Sequence, residues 1–454
     1  MKAREIASAV AARRTTARAQ CEAALARIAV RNPALNAIVT QRPEVSLAEA
    51  DAVDMRVEAG EKLPLAGVPY TLKDNLWAKG WRATQGSKLF ADHVAPADSA
   101  CVARFRAAGA VLVGITNCSE FACKGVTTNP LFGATRHPLD ERLTPGGSSG
   151  GAASATAAGF TPLALCTDAG GSTRRPAAHA GLVGLKPTVG RIPNPHGFPE
   201  PNLGISVIGV LATDVDDAAL ALDVLSAYDP LDPWSSPSPA PSSEPHTLRV
   251  AWSPQLGCDF AIDADVLAQL QTVVDALQRD RVRIEYADPA WPPGTAEYPL
   301  LAVQQAGLAA LFGEALKTRR ADFDPDIAAQ VELGLGHSGA TIADRLLMRE
   351  RIAQSLASFF ERFDLLLAPT APVTAWPLGE LGPATIGGKP AGPRGHAAFT
   401  PLFNYCGVPA CSVPAGLVRG LPVGLQVIGP RWADARVLAF CRRIERIVLN
   451  QEPS

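Results

Sequence analysis

The sequence predicts an α/β protein whose sheet is largely parallel or mixed and is covered by helices. Two observations support this fold class. Short apolar runs, typical of buried strands, alternate with helical patterns from residue 64 onward. Apolar residues make up 47% of the 454 residues and charged residues 19%, the composition of a globular chain with a sizeable core. Strand–helix–strand order favours parallel pairing, because the connecting helix packs on a face of the sheet.

The N-terminal segment, residues 1–63, is predicted to consist of helices. Apolar residues recur at helical spacing over residues 4–31. Thr15 or Thr16 can cap a helix over Ala17–Ile28, because a threonine hydroxyl accepts hydrogen bonds from the first backbone N–H groups. The first residues lack the apolar core of a signal peptide, so we expect no secretory leader.

After Pro64 the pattern changes, and strands and helices alternate. Each predicted strand is a short apolar run bounded by turn residues, and each predicted helix is a longer run without such breaks. Strands are predicted at Val68–Leu72, Ala110–Ile115 and Pro162–Thr167, and helices at Ala100–Ala108 and Gly150–Ala158.

Residues 226–247 are dense in proline and serine and are predicted to form a linker. From composition alone, the linker either separates two domains or is a surface excursion within one. Beyond it, strands are predicted at Leu248–Trp252, Val282–Tyr286, Asp364–Ala368, Ala410–Pro414 and Val423–Ile428, and helices at Ala264–Gln278, 297–318, 340–362 and 433–448.

Charge and residue usage argue against several classes of function. The chain has 42 basic and 44 acidic residues, a net charge of −2, so electrostatics favours neither a nucleic acid nor an anionic membrane as a partner. The uncharged stretches Leu143–Thr167 and Ala397–Val418 are interrupted by glycine, serine or proline and are not predicted to span a bilayer. Nine cysteines without a CxxC pair indicate reduced thiols and a cytoplasmic location. The seven histidines show no metal-ligand spacing, so no metal is expected.

Three motifs concentrate residues that can carry chemistry. Thr71–Asn75 (TLKDN) places Lys73 at the end of an apolar strand. Pro145–Gly151 (PGGSSGG) leads into a helix of small residues. Asp168–Arg174 (DAGGSTR) follows a buried strand directly.

The Asp168–Arg174 motif has two interpretations. Its glycines allow the backbone to turn several N–H groups toward one point, which would form an oxyanion hole around a nucleophilic serine. The alternative is a tight strand-to-helix turn with a capping serine.

The Pro145–Gly151 motif matches the G-x-S-x-G pattern of hydrolase elbows, but no buried strand precedes it. A phosphate-binding loop would require a lysine that is absent there.

Lys73 is of interest because its approach is apolar. A lysine at a strand end is usually exposed. If the apolar residues Val68–Leu72 shield Lys73 from water, its amine loses a proton more easily and can act as a base near neutral pH.

Together, the three motifs closely resemble the amidase signature family, whose hallmark is a Gly/Ser-rich region with a Ser–cis-Ser–Lys triad. The matching block runs from residue 64 to 188, and similarity extends to residues 22–40, 407–410 and 420–426. The resemblance implies a single α/β domain, residues 1–454, around a large mixed, mostly parallel sheet with helices on both faces. This domain would comprise N-terminal helices (1–63), a signature core (64–225), a Pro/Ser-rich excursion (226–247) and a C-terminal α/β part completing the sheet and substrate pocket (248–454).

By position, the resemblance also implies roles for individual residues. Ser172 matches the nucleophile, Lys73 the base, and Ser148 the bridging serine whose preceding peptide bond is cis in the family. The oxyanion hole would be formed by the backbone N–H groups of Ala169, Gly170, Gly171 and Ser172. Three further residues are expected to support the site: Ser149 by a hydrogen bond within the triad or by capping the next helix, and Asp168 and Arg174 by pairing beside the nucleophile. No role is implied for His137 or His179.

The implied activity is hydrolysis of C–N bonds in small amides through a seryl acyl-enzyme, without a cofactor. Carbamates or esters could follow the same chemistry. The expected partners are a small amide and water, with the chain a monomer or homodimer. The alternative is the glutaminase A subunit of a tRNA-dependent amidotransferase. Where such subunits typically have a Ser-Thr-Glu-Asn run this chain has Val126–Asn129 (VTTN), which weakens that alternative and leaves the substrate open.

Overall fold

The described residues contain thirteen α-helices and fifteen strands, joined by loops. The computed structural model describes residues 2–237, 248–392 and 394–450. The helices are α1 (Ala3–Ala11), α2 (Ala17–Leu35), α3 (Pro43–Glu58), α4 (Ala100–Ala107), α5 (Gly150–Ala157), α6 (Arg174–Ala180), α7 (Val215–Leu225), α8 (Ala264–Arg279), α9 (Leu301–Arg319), α10 (Pro325–Leu335), α11 (Gly339–Arg362), α12 (Pro401–Tyr405) and α13 (Asp434–Leu449). The strands are β1 (Ile38–Thr40), β2 (Pro69–Lys73), β3 (Val111–Thr116), β4 (Thr128–Asn129), β5 (Gly133–Ala134), β6 (Leu163–Asp168), β7 (Val183–Lys186), β8 (Val207–Ala212), β9 (Val250–Trp252), β10 (Ile284–Tyr286), β11 (Leu365–Pro369), β12 (Thr385–Ile386), β13 (Lys389–Pro390), β14 (Ala410–Val418) and β15 (Leu421–Ile428).

The main sheet confirms the predicted α/β class and the mixed sheet. Its eleven strands lie in the order β1-β3-β2-β6-β8-β7-β14-β15-β11-β9-β10. Parallel pairs join β3, β2 and β6 on one side and β11, β9 and β10 on the other. The middle of the sheet is antiparallel, as is the pairing of β1. The expectation that most of the strand pairs in this sheet are parallel was therefore wrong. One reason is the hairpin of β14 and β15, whose short turn permits only antiparallel pairing.

Helices on both faces bury the strands that carry the site. Strands β2, β3, β6 and β8 are buried at every position, which explains their continuous apolar sequences. The nine cysteines are free thiols, and seven of them are buried in this packing.

Most predicted elements are present within a few residues of their expected ends. Thr16 caps α2 by accepting a hydrogen bond from the backbone N–H of Ala19. Several elements were not predicted, among them strands β1, β7 and β8 and helices α6, α7 and α10. Strand β1 has three residues, too few to show alternation. Of the predicted linker, residues 238–247 lie outside the described residues. The part of the predicted linker before residue 238 is connected to the rest of the chain by hydrogen bonds, including one from the Asn194 N–H to the Asp232 carboxylate (2.8 Å).

The segment Thr295–Asp322, which contains α9, is long and apolar enough to span a bilayer by length and composition alone. Core helices pass the same test. In the fold, Leu308 and Phe312 of α9 are buried and belong to the same apolar cluster as Ile327 and Val331 of α10.

Candidate active site

The three motifs meet at one edge of the sheet. Strands β2 and β6 are parallel neighbours, so Lys73 and Asp168, their last residues, lie at the same edge. The loop before α5 brings Ser148 and Ser149 to this edge, and the Ser149 N–H donates to the carbonyl of Ser172 (3.3 Å). Topology therefore assembles segments that are separated by many residues in the chain.

Lys73 is fully buried and surrounded by hydroxyl groups. Its Nζ lies 2.7 Å from Ser148 Oγ, 2.9 Å from Ser149 Oγ and 3.0 Å from Thr167 Oγ1. Within the described residues it forms no salt bridge. Burial lowers the pKa of Lys73, and distant negative groups such as Asp168 oppose this only in part.

The loop containing Ser148 is closely packed. The peptide bond between Gly147 and Ser148 is cis. A side chain at Gly147 would bring its Cβ within 2.6 Å of the Val126 backbone, so only glycine fits. The Ser149 side chain makes no capping hydrogen bond to α5, and its contact with Lys73 places it beside the predicted triad.

Backbone donors surround Ser172. The N–H groups of Ala169, Gly170 and Ser172 donate to no acceptor among the residues that the structure describes. Gly171 differs from the prediction, because its N–H already donates to Asp168 Oδ1 (2.7 Å). Gly171 has φ +106°, which favours glycine, and a Cβ there would lie 2.0 Å from Thr400 Oγ1. Three of the four predicted oxyanion donors therefore have no acceptor in the described chain, and their residues line a cavity.

Asp168 and Arg174 form a fully buried ion pair beside this turn. Arg174 Nη2 lies 2.9 Å from Asp168 Oδ1 and Nε lies 3.0 Å from Oδ2. Burial alone would raise the pKa of Asp168, but Arg174 and hydrogen bonds such as that from Asn404 hold it well below its usual value. Arg174 also donates to Gln426 Oε1 (2.6 Å). The pair thus joins the nucleophile turn to the C-terminal half of the chain.

Two adjoining cavities open onto Ser172. The larger has a volume of about 270 Å³ and the smaller about 160 Å³, and Ala169 and Ser172 line both. Ser148 lines the smaller cavity. The loop 376–396 and the start of α9 form walls of the larger cavity, within the C-terminal part that was expected to complete the substrate pocket. Sequence reasoning missed Arg175, Tyr298 and α10, whose residues show no pattern distinct from ordinary packing.

The two histidines without an implied role belong to the core. His137 Nε2 lies 2.8 Å from the carbonyl of His179, and burial lowers the pKa of His179 to about 3. In the described part of the chain, no three His, Cys, Asp or Glu side chains cluster as a metal site would require.

Comparison with known proteins identifies the family of the chain. The family model named Amidase matches residues 19–438. The A subunit of the glutamyl-tRNA(Gln) amidotransferase of Moorella thermoacetica is 36% identical over 448 residues, which cover 91% of this chain and 89% of that protein. A bacterial aryl acylamidase of the amidase signature family has a TM-score of 0.90 at 28% identity, covering 100% of this chain and 99% of its own.

A second solved structure, 6-aminohexanoate cyclic dimer hydrolase complexed with substrate, has a TM-score of 0.89 at 28% identity and covers 99% of this chain and 97% of its own. The family model spans the two ends of the chain as well as the Gly/Ser-rich block. The chain therefore belongs to the amidase signature family.

Proposed function

We propose that the protein hydrolyses the C–N bond of small amides through an acyl-enzyme on Ser172, with Ser148 as the proton relay and Lys73 as the base. The observation that carries this proposal is the buried Lys73 amine, 2.7 Å from Ser148 Oγ and without a carboxylate partner in the described chain. A buried amine without a counter-charge favours its neutral form, which is the form a general base needs.

The proposed reaction begins with a proton moving from Ser172 Oγ to Ser148 Oγ as Ser148 passes its own proton to Lys73. Ser172 Oγ then bonds to the amide carbon, and the carbonyl oxygen becomes an oxyanion. When the C–N bond breaks, Ser148 donates a proton to the leaving nitrogen and recovers one from Lys73. Water attacks the acyl ester, the relay accepts its proton, and Ser172 leaves with a proton restored.

The open N–H groups of Ala169, Gly170 and Ser172 would hold the oxyanion. Each such donor typically lowers the barrier by about 3 kcal/mol, because it is already oriented and shielded from water. Asp168 supports this arrangement by fixing the Gly171 and Thr173 N–H groups (2.7 and 3.2 Å), which sets the shape of the turn.

The test is Ser172→Ala, which should abolish turnover of a chromogenic anilide and labelling by an active-site phosphonate. The control is Ser355→Ala on α11, whose hydroxyl donates to the Ala290 carbonyl away from both cavities. Normal turnover by Ser172→Ala would refute the proposal.

Glutaminase activity within a tRNA-dependent amidotransferase is the second candidate. The amidotransferase relatives, such as that of Moorella thermoacetica, favour it over a free-standing amidase, and it would require partner proteins. The larger cavity argues for the first candidate, because glutamine has an ammonium group that needs an acceptor. The carboxylate of Asp326 lines this cavity, but one of its oxygens accepts from Lys124 (2.8 Å), and the positive groups of Arg175 and Arg394 line the same cavity. Glutamine hydrolysis that rises with charged tRNA, ATP and partner proteins would decide for the second candidate.

Several expectations remain predictions. These are activity on carbamates or esters, a cytoplasmic location, a monomer or homodimer, and the division of the chain at residues 63, 225 and 247. A panel of matched anilides, primary amides, carbamates and esters, each tested with Lys73→Ala, would measure the first of these.

A further inference from the structure

Two guanidinium groups line the larger cavity without a carboxylate partner among the described residues. They belong to Arg175, at the start of α6, and Arg394, in the loop before α12. Ser172 lines the same cavity. Arg175 is buried and Arg394 is half-buried. Arginine side chains are almost always paired when they are buried, so the lack of a carboxylate beside Arg175 in particular requires an explanation.

Arg175 is 6% exposed and has only neutral partners. Its Nη1 donates to the Gly170 carbonyl (2.8 Å) and its Nη2 to the Gly147 carbonyl (3.3 Å). Its Nε is buried and has no hydrogen-bond partner. Burial lowers the pKa of Arg175 to about 10, and the nearby Arg394 contributes in the same direction.

Arg394 also has a neutral partner. Its Nη2 donates to Gln330 Oε1 (3.2 Å), and Gln330 in turn accepts from Gln304 Nε2 (2.6 Å). The Tyr298 hydroxyl donates to the Arg394 carbonyl (2.9 Å), which anchors the loop beside the cavity. The remaining guanidinium donors of Arg394 have no acceptor in the described part of the chain.

The carboxylates that border the two cavities, within the described residues, are already engaged. Asp326 pairs with Lys124 (2.8 Å), and Asp324 accepts from the same amine. The others accept backbone N–H groups: Glu200 from Asn202 and Gly204, and Asp232 from Asn194 and Trp234. The larger cavity therefore has a surplus of positive charge close to Ser172.

We infer that the acyl part of the substrate carries a carboxylate, which binds Arg394 with Arg175 beside it. This inference rests on the proposed amide hydrolysis and names its substrate class as monoamides of dicarboxylic acids. A planar carboxylate can accept two parallel hydrogen bonds from a guanidinium, and the cavity shields this contact from water. A zwitterion is disfavoured, because its ammonium group would meet the same positive charges.

The test compares two series of 4-nitroanilides, those of malonic, succinic and glutaric acid and their counterparts in which the carboxylate is a primary carboxamide. For the best chain length, kcat/KM should be about 10- to 100-fold higher for the carboxylate, the range that a hydrogen bond to a charged group supplies. Arg394→Gln should remove this preference by raising KM for the carboxylate series much more than for the carboxamide series. Arg394→Lys should restore part of it, because the charge remains and the forked geometry does not.

Arg283→Gln is the matched control, since Arg283 is a largely exposed arginine beside β10, paired with Glu285 on that strand (3.3 Å). It should leave both series unchanged. A binding measurement makes the test independent of turnover: Ser172→Ala protein should bind succinamate at least about 10-fold more tightly than succinamide.

Equal kcat/KM for the two series, equal affinities for succinamate and succinamide, or an equal loss in both series on Arg394→Gln would overturn the inference. These outcomes are distinct from failure of the proposed function. If only neutral anilides are cleaved and Ser172→Ala abolishes their cleavage, amide hydrolysis stands and the carboxylate inference falls.

Discussion

Replacing Arg174 by methionine would isolate the contribution of the buried ion pair to the nucleophile turn. Methionine keeps much of the side-chain volume and removes the guanidinium that contacts both oxygens of Asp168. It also removes the hydrogen bonds to Gln426 and Asn404, which connect the turn to the C-terminal half of the chain. Asp168 would remain buried and charged without its counter-ion.

Removing one member of a buried pair costs about 3–5 kcal/mol of unfolding free energy. We expect the lower end, about 3 kcal/mol, because Asp168 keeps hydrogen bonds from Gly171 and Asn404. At about 2.1 cal/mol/K per residue, a 454-residue chain has an unfolding entropy of about 1 kcal/mol/K. The melting temperature should therefore fall by about 3 °C.

The sign of the pH dependence follows from the pKa of Asp168. In the wild type that pKa is depressed, so the pair stabilises the fold fully above about pH 4 and loses this effect as pH falls further. In Arg174→Met, burial without the guanidinium raises the pKa of Asp168. The stability difference from wild type should then be largest near pH 7 and smaller near pH 5.

The assay is thermal and urea unfolding at pH 5 and pH 7, with kcat for an anilide measured in parallel. Arg283→Met is the control, since its exposed pair with Glu285 should contribute less than about 1 kcal/mol. Equal losses for the two variants, or a difference from wild type that does not depend on pH, would refute the reasoning.

Two further predictions follow from burial and packing. Because burial lowers the pKa of Lys73 and the base must be unprotonated, kcat/KM of the wild type should rise with pH to a plateau. Lys73→Met should lower kcat about 10²- to 10⁴-fold and remove this rise, which a pH–rate profile would show. An unchanged profile in the variant would exclude Lys73 as the base. Gly307→Ala should lower the unfolding free energy by about 1–3 kcal/mol, because the new Cβ would lie 2.0 Å from the Pro201 carbonyl oxygen. Gly339→Ala, whose new Cβ would have no atom within 4 Å, should raise the unfolding free energy by about 0.5–1 kcal/mol. Equal effects of the two substitutions in urea titrations would contradict this account.

Local patterns were sufficient to predict the elements that carry the site. Strands β2 and β6 are continuous apolar runs because both faces of the sheet are covered, so they stand out in the sequence. Strands β1, β7 and β8 and helix α10 were not predicted, and β1 has only three residues, too few to show an alternation. The antiparallel middle of the sheet depends on which strands become neighbours, and strand patterns do not encode that choice.

By itself, the sequence determined the α/β class, the three motifs and, through resemblance, the candidate residues of the triad. The tertiary structure added the surroundings of the Lys73 amine, which meets Ser148 and Ser149, whereas the amine of Lys186, another fully buried lysine at the end of a strand, donates to the Pro187 carbonyl. Only the tertiary structure brought Arg394 into the cavity that Ser172 and Arg175 line. The physical reason is that burial and charge balance at a site depend on contacts between residues far apart in the chain, and a local sequence pattern does not specify those contacts.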